Sequence, residues 1–119
     1  MKVKAWHATT SHFTAFTKLM FSKRSPDVEI GVTHIELPMT FTSEEDETDA
    51  ILGSAFSYFN FIDADLILIN EINKFVTEND THTSMSPGDI IEMSELKQFW
   101  RCEWMGWTRL DNKLIGVTT

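Results

Sequence analysis

The sequence predicts an α+β domain in which an antiparallel sheet packs against one or two helices. Three observations lead to that class. Apolar residues alternate near the start of the chain and again in its last third, the middle repeats its apolar residues at helical spacing, and turn-forming residues separate these stretches. With 119 residues, 42% of them apolar and 12% aromatic, the chain suits one domain over 1–119 with an ordinary core.

Taken in order, Val3, Ala5 and His7 alternate with Lys2, Lys4 and Trp6, the period of a strand. A Thr/Ser/Phe stretch follows and ends in a basic, turn-forming loop at 22–27. Val28, Ile30 and Val32 alternate next, but Ile35 and Leu37 continue in the opposite phase, so a strand over 28–37 needs a β-bulge near Thr33 and His34. Ser43 before Glu44, Glu45 and Asp46 reads as an N-cap followed by acids at the positive end of a helix dipole. Ile51, Ala55, Tyr58, Phe59 and Ile62 give that helix its inward stripe, and Gly53 weakens it by about 1 kcal/mol relative to Ala.

The segment 63–76 fits a buried strand through Leu66, Ile67, Leu68 and Ile69, or a helix face through Leu66, Ile69, Ile72 and Val76; the helix is the preferred reading. Loop composition at 77–84 predicts the most mobile part of the chain. A turn at Pro87, Gly88 and Asp89 leads into Ile90–Met93, and then 98–105 sets Trp100, Cys102 and Trp104 on an aromatic strand face. A closing hairpin is expected to turn at Asp111 and Asn112 between 107–110 and 114–117.

Charge is the main functional signal. Of 18 acidic residues, 13 lie between Glu44 and Glu95 with only Lys74 against them, whereas the first 24 residues hold five bases and no acid. At a net charge of −8 direct nucleic-acid binding is disfavoured, because that binding draws on Lys and Arg neutralising phosphates. A clustered acidic face suits a partner with a basic surface instead. Glu44, Glu45, Asp46, Glu47 and Asp49 are its candidate docking residues. Trp107, just after Gly106 and out of phase with the strand, is the candidate aromatic anchor.

The chemistry-bearing residues suggest no active site. His7 and His12 are five apart rather than four, and with His34 and His82 they form no metal-ligand spacing, so they read as surface or capping groups, and no cofactor is expected. Cys102 is the sole cysteine; it allows no internal disulfide and reads as a small core residue. Asp46, Asp49, Asp63 and Asp65 read as a solvated face, because a helix start in water offers no apolar walls to shift a carboxylate. The alternating N-terminus lacks a signal-peptide pattern and no apolar run reaches bilayer length, which points to the cytoplasm and away from membranes.

Two resemblances bear on function. His7-Ala8-Thr9 resembles the His-Gly-Thr segment with which ADP-ribosyltransferases hold a nicotinamide ribose, implying as an alternative a small enzyme of that type; Ala8 replaces the glycine, Tyr58 is the single tyrosine, and no late Glu-x-Glu strand follows. Ser84-Met85-Ser86-Pro87-Gly88-Asp89-Ile90-Ile91, with Gly106-Trp107 farther on, resembles the C-terminal cassette of small bacteriophage and mobile-element proteins, Pro87 standing where a small apolar residue is usual. That resemblance implies an infected bacterial cell as the setting. The resulting expectation is a non-enzymatic accessory protein that binds a host protein, such as a defence or nucleic-acid-handling factor, through its acidic surface, with mimicry of nucleic acid as one form of that binding; a self-associating component using its tryptophan-rich strands is a further alternative.

Overall fold

The computed structural model describes residues 1–19, 25–61 and 64–116. Alternation at the start of the chain produces β1 (Lys2–Ala8), which buries Val3, Ala5 and His7. β2 (His34–Thr42), β3 (Ile90–Met93), β4 (Gln98–Cys102) and β5 (Trp107–Leu110) complete a five-stranded sheet in the order β2-β1-β3-β4-β5. Every neighbouring pair is antiparallel, as expected.

Among the described residues three helices accompany the sheet: α1 (Thr10–Leu19), α2 (Thr48–Phe59) and α3 (Leu66–Glu78). Ile51, Leu52, Ala55 and Phe59 of α2 pack with Val3, Ala5, Leu37, Ile91 and Met93 in the larger core. Complete burial of the Val, Leu, Ile, Met and Phe side chains among them contributes roughly 1.5–3 kcal/mol each. Because Ile90 and Phe99 point opposite to Ile91 and Trp100 on a pleated sheet, they serve the other face, where they join Val28 and Ile115.

Several boundaries differ from those read in the sequence. The stretch 28–33 is not strand: Gly31 adopts φ +91, Val32 and Thr33 close back on the Glu29 carbonyl, and β2 begins at His34. That turn, rather than a bulge at 33–34, accounts for the change of phase. The irregularity in the ladder lies further on, where Lys4 pairs Thr40 and Trp6 pairs Glu36; Pro38 sits in the extra stretch, having no N–H for a ladder.

The α2 helix starts five residues after Ser43. Its N-cap is Glu47 with no side-chain cap bond, while Ser43 is buried, accepts from the Glu45 N–H, and exchanges backbone hydrogen bonds with Met1. Tyr58 is partly exposed and stacks on Phe41 at 4.9 Å; Ile62 and Asp63 lie outside the described residues.

Helix wins over strand in the 63–76 segment, since the Asp65 side chain accepts from the Leu68 N–H and caps α3. Ile72 and Val76 are its buried residues, while Leu66, expected to face inward, is exposed. β4 stops at Cys102, so Trp104 falls in the 103–106 turn instead of on the strand. The closing hairpin is β4–β5, and a 3-10 turn over Asn112–Ile115 replaces the expected second strand, of which 117 lies outside the described residues.

The sequence pattern does not predict α1. Its buried residues are His12 and Phe16, so half of that inward pair is polar, and its Thr- and Ser-rich composition gives little apolar periodicity. Thr9 supplies the start by accepting from the His12 N–H at 3.3 Å.

Candidate functional site

Polar residues concentrate at the two ends of the β1–β2 pair. One end is acidic. Because β2 runs antiparallel to β1, its last residue, Thr42, lies opposite Lys2, and the acidic segment leaves from there. Glu44, Glu45, Asp46, Glu47 and Asp49 are all exposed. Among the described residues none of them forms an ion pair; the bases found in pairs are Lys4 with Glu36 at 3.2 Å and Arg101 with Glu103 at 2.8 Å.

Near this segment, Phe41, Ser57, Tyr58, Asp65 and Leu68 line a groove of about 630 Å³ between α2 and the start of α3. Leu66 and Ile67 in the first turn of α3 are both 72% exposed. Trp107 is half-buried, packs on the larger core and meets the Phe56 ring edge-on at 6.2 Å. The tryptophan most open to water is its turn neighbour Trp104, at 56%. A shallow depression lined by Gly53, Phe56, Trp104 and Trp107 connects the two to α2.

The other end gathers all four histidines around Asp89, a grouping that sequence spacing does not reveal. Asp89 is completely buried. Its Oδ1 accepts from the Ala8 N–H at 2.8 Å and its Oδ2 from the Ser86 N–H at 2.8 Å. The turn role read from the sequence is therefore real, and Gly88 supports it with φ +96. A further role appears at Oδ2, which lies 2.6 Å from His82 Nε2 and 3.9 Å from His7 Nε2.

The chain delivers His82 to this point by a defined route. Asn79 caps α3, Asp80 turns left-handed at φ +52, and Thr81 donates its N–H to the Val76 carbonyl, closing the helix. Thr81 Oγ1 then donates to the Ala8 carbonyl at 2.7 Å, and the Thr10 N–H donates to the Asp80 carbonyl at 3.0 Å. The loop expected to be the most mobile is thus tied to β1 and α1. His7 Nδ1 in turn lies 2.8 Å from the His82 carbonyl oxygen.

These contacts set the imidazole tautomers. A carbonyl oxygen only accepts, so His7 carries its proton on Nδ1 and presents a lone pair at Nε2, a buried atom with no hydrogen-bond partner among the described residues. His34 donates from Nε2 to the Gly88 carbonyl at 2.7 Å and accepts at Nδ1 from Thr33 Oγ1 at 2.8 Å. Its neutral form is fully satisfied. Burial holds the His34 pKa down at about 4, and burial likewise lowers His7 and His12, with the Arg101 charge adding to the effect at His12.

His12 meets His34 edge-on at 4.6 Å, and His82 stacks on His7 at 5.1 Å. Three of the four rings, His7, His12 and His34, are buried, which corrects their reading as surface or capping groups. Cys102 is buried as expected, and burial pushes its thiol up to about 12, leaving it a packing group. The His7–Thr9 segment ends β1 and caps α1, with the His7 ring directed at the Asp89 loop.

Comparison with protein-family models, with curated proteins and with solved structures finds no match to this chain. No helix among the described residues is long and apolar enough to cross a membrane.

Proposed function

We propose that this chain is a bacteriophage-type accessory protein that binds a basic host protein through its acidic end, in the bacterial cytoplasm, and occupies the surface that the partner offers to nucleic acid. One observation carries the reading: Glu44, Glu45, Asp46, Glu47 and Asp49 stand exposed within six residues of one another and free of ion pairs among the described residues. Carboxylates exposed to water and not held in ion pairs attract arginine and lysine over several ångströms. The groove beside Tyr58, with Leu66 and Ile67, offers apolar contact next to that charge, and Trp107 with Trp104 offers an aromatic contact along the same helix α2.

The test uses the intact protein as bait in a bacterial lysate at low and at high salt. A basic protein retained at low salt, released by added DNA and lost when Glu44, Glu45 and Glu47 are changed to Lys is the expected result. Capture that ignores salt, DNA and the charge reversal overturns the acidic-end proposal.

A further inference from the structure

The geometry points to a binding site for a divalent first-row transition ion, of which Zn²⁺ is the probe, formed by His7 Nε2, His82 Nε2 and Asp89 Oδ2. The three residues present one ligand atom each, all within 4.8 Å of one another. Two imidazoles with one carboxylate form a borderline donor set that suits zinc and its neighbours rather than calcium or magnesium.

His7 is the reason to read this cluster as more than a hydrogen-bonded tie. Its ring is completely buried, its Nδ1–H is committed to the His82 carbonyl at 2.8 Å, and its Nε2 lone pair has no hydrogen-bond partner among the described residues. A ring nitrogen fixed by a carbonyl while the other stands bare is the arrangement that orients metal-bound histidines. A buried lone pair without a donor otherwise loses the hydrogen bond it would make to water.

Distances fit an ion with small movement. Bonds of about 2.1 Å at tetrahedral angles place ligand atoms about 3.4 Å apart. Asp89 Oδ2 is 2.6 Å from His82 Nε2 and 3.9 Å from His7 Nε2, and the three ligand atoms lie within 4.8 Å of one another, so the first separation must open while His7 Nε2 draws closer to the other two. The side chain able to move is His82, which sits on the loop and is 28% exposed, whereas Asp89 is fixed by the Ala8 and Ser86 N–H groups. His82 also gives the ion its way in. A bound ion would join the 79–89 loop to β1, so that its binding energy would appear as added folding stability.

The test is a titration of tag-free, chelator-treated protein with Zn²⁺, followed by heat and by thermal unfolding, and with Co²⁺, followed by visible absorption. Wild type is expected to take up one equivalent, gain unfolding temperature, and give the d–d bands of Co²⁺ held by imidazole and carboxylate. His82→Ala and His7→Gln, confirmed as folded by circular dichroism, should each weaken binding at least tenfold and abolish those bands. His12→Gln should keep them. Absence of one-equivalent binding in wild type, or binding unchanged in folded His82→Ala, overturns the site. So does binding that disappears on reversal of Glu44, Glu45 and Glu47 instead, which would place the ion on the acidic end.

Discussion

The acidic end and the histidine end of the β1–β2 pair are built from comparable numbers of polar side chains, yet physics treats them in opposite ways. Seven residues of β1 separate them, roughly 20 Å of extended strand. At the acidic end the carboxylates stand in water and fold stability asks little of them. At the histidine end Asp89, His7 and His34 are removed from water, and each depends on hydrogen bonds from a different part of the chain. Exposed charge is thereby left free for another molecule, while buried polarity specifies how the 79–89 loop, β1 and β2 meet.

The most damaging change should be Asp89→Ala. It strips the Ala8 and Ser86 N–H groups and the His82 ring of their acceptor in a buried site, which typically costs about 3–5 kcal/mol. Urea unfolding should show a large drop in midpoint. An unchanged midpoint would mean that the histidine end does not hold the fold together.

Acid should separate the ends nearly as strongly. In the unfolded chain His34 takes a proton near pH 6.5, but in the fold only near 4. Above 6.5 neither state is protonated and the full stability is present. As the pH falls from 6.5 towards 4 the unfolded chain gains a proton that the native state refuses, so stability declines by on the order of 3 kcal/mol. His7 and His12, lowered in the same direction, steepen the fall. Chemical denaturation across this range checks the slope, and flat stability would refute the burial argument.

Gly88→Ala should have a smaller effect. The residue holds φ +96, and an added Cβ would lie 3.2 Å from the Phe16 ring, so left-handed strain and crowding together should cost about 1–2 kcal/mol. Thermal unfolding measures it. The least effect on folding is expected from Lys at positions 44, 45 and 47: a loss of about 1 kcal/mol or less, because Glu47 is the N-cap of α2 and lies by the positive end of its dipole, together with at least a tenfold loss of partner binding.

Much of this contrast is legible in the sequence, but only on one side. The acidic segment is contiguous, so its composition reveals it directly, and exposure follows from five carboxylates with no base beside them in the sequence. The sheet and the two later helices follow from apolar period, and Gly88 with Asp89 announces its turn. The histidine end is assembled from positions 7, 12, 34, 82 and 89, brought together by strand pairing and by the left-handed step at Asp80. No spacing rule reaches across those separations. The available hint was His7 at an inward-facing position of a strand, which marks one imidazole as buried without naming its partners. α1 escaped for a related reason, since His12 fills a core position while counting as polar.

Amide chemical-shift mapping of the isotope-labelled chain, titrated with the basic protein it captures, decides whether the acidic end is the docking surface. Perturbation is expected at 44–49, around Tyr58 and Asp65, and near Trp107, with Ala8, His82 and Asp89 unmoved. Perturbation centred on the histidine end, with 44–49 silent, would contradict that assignment.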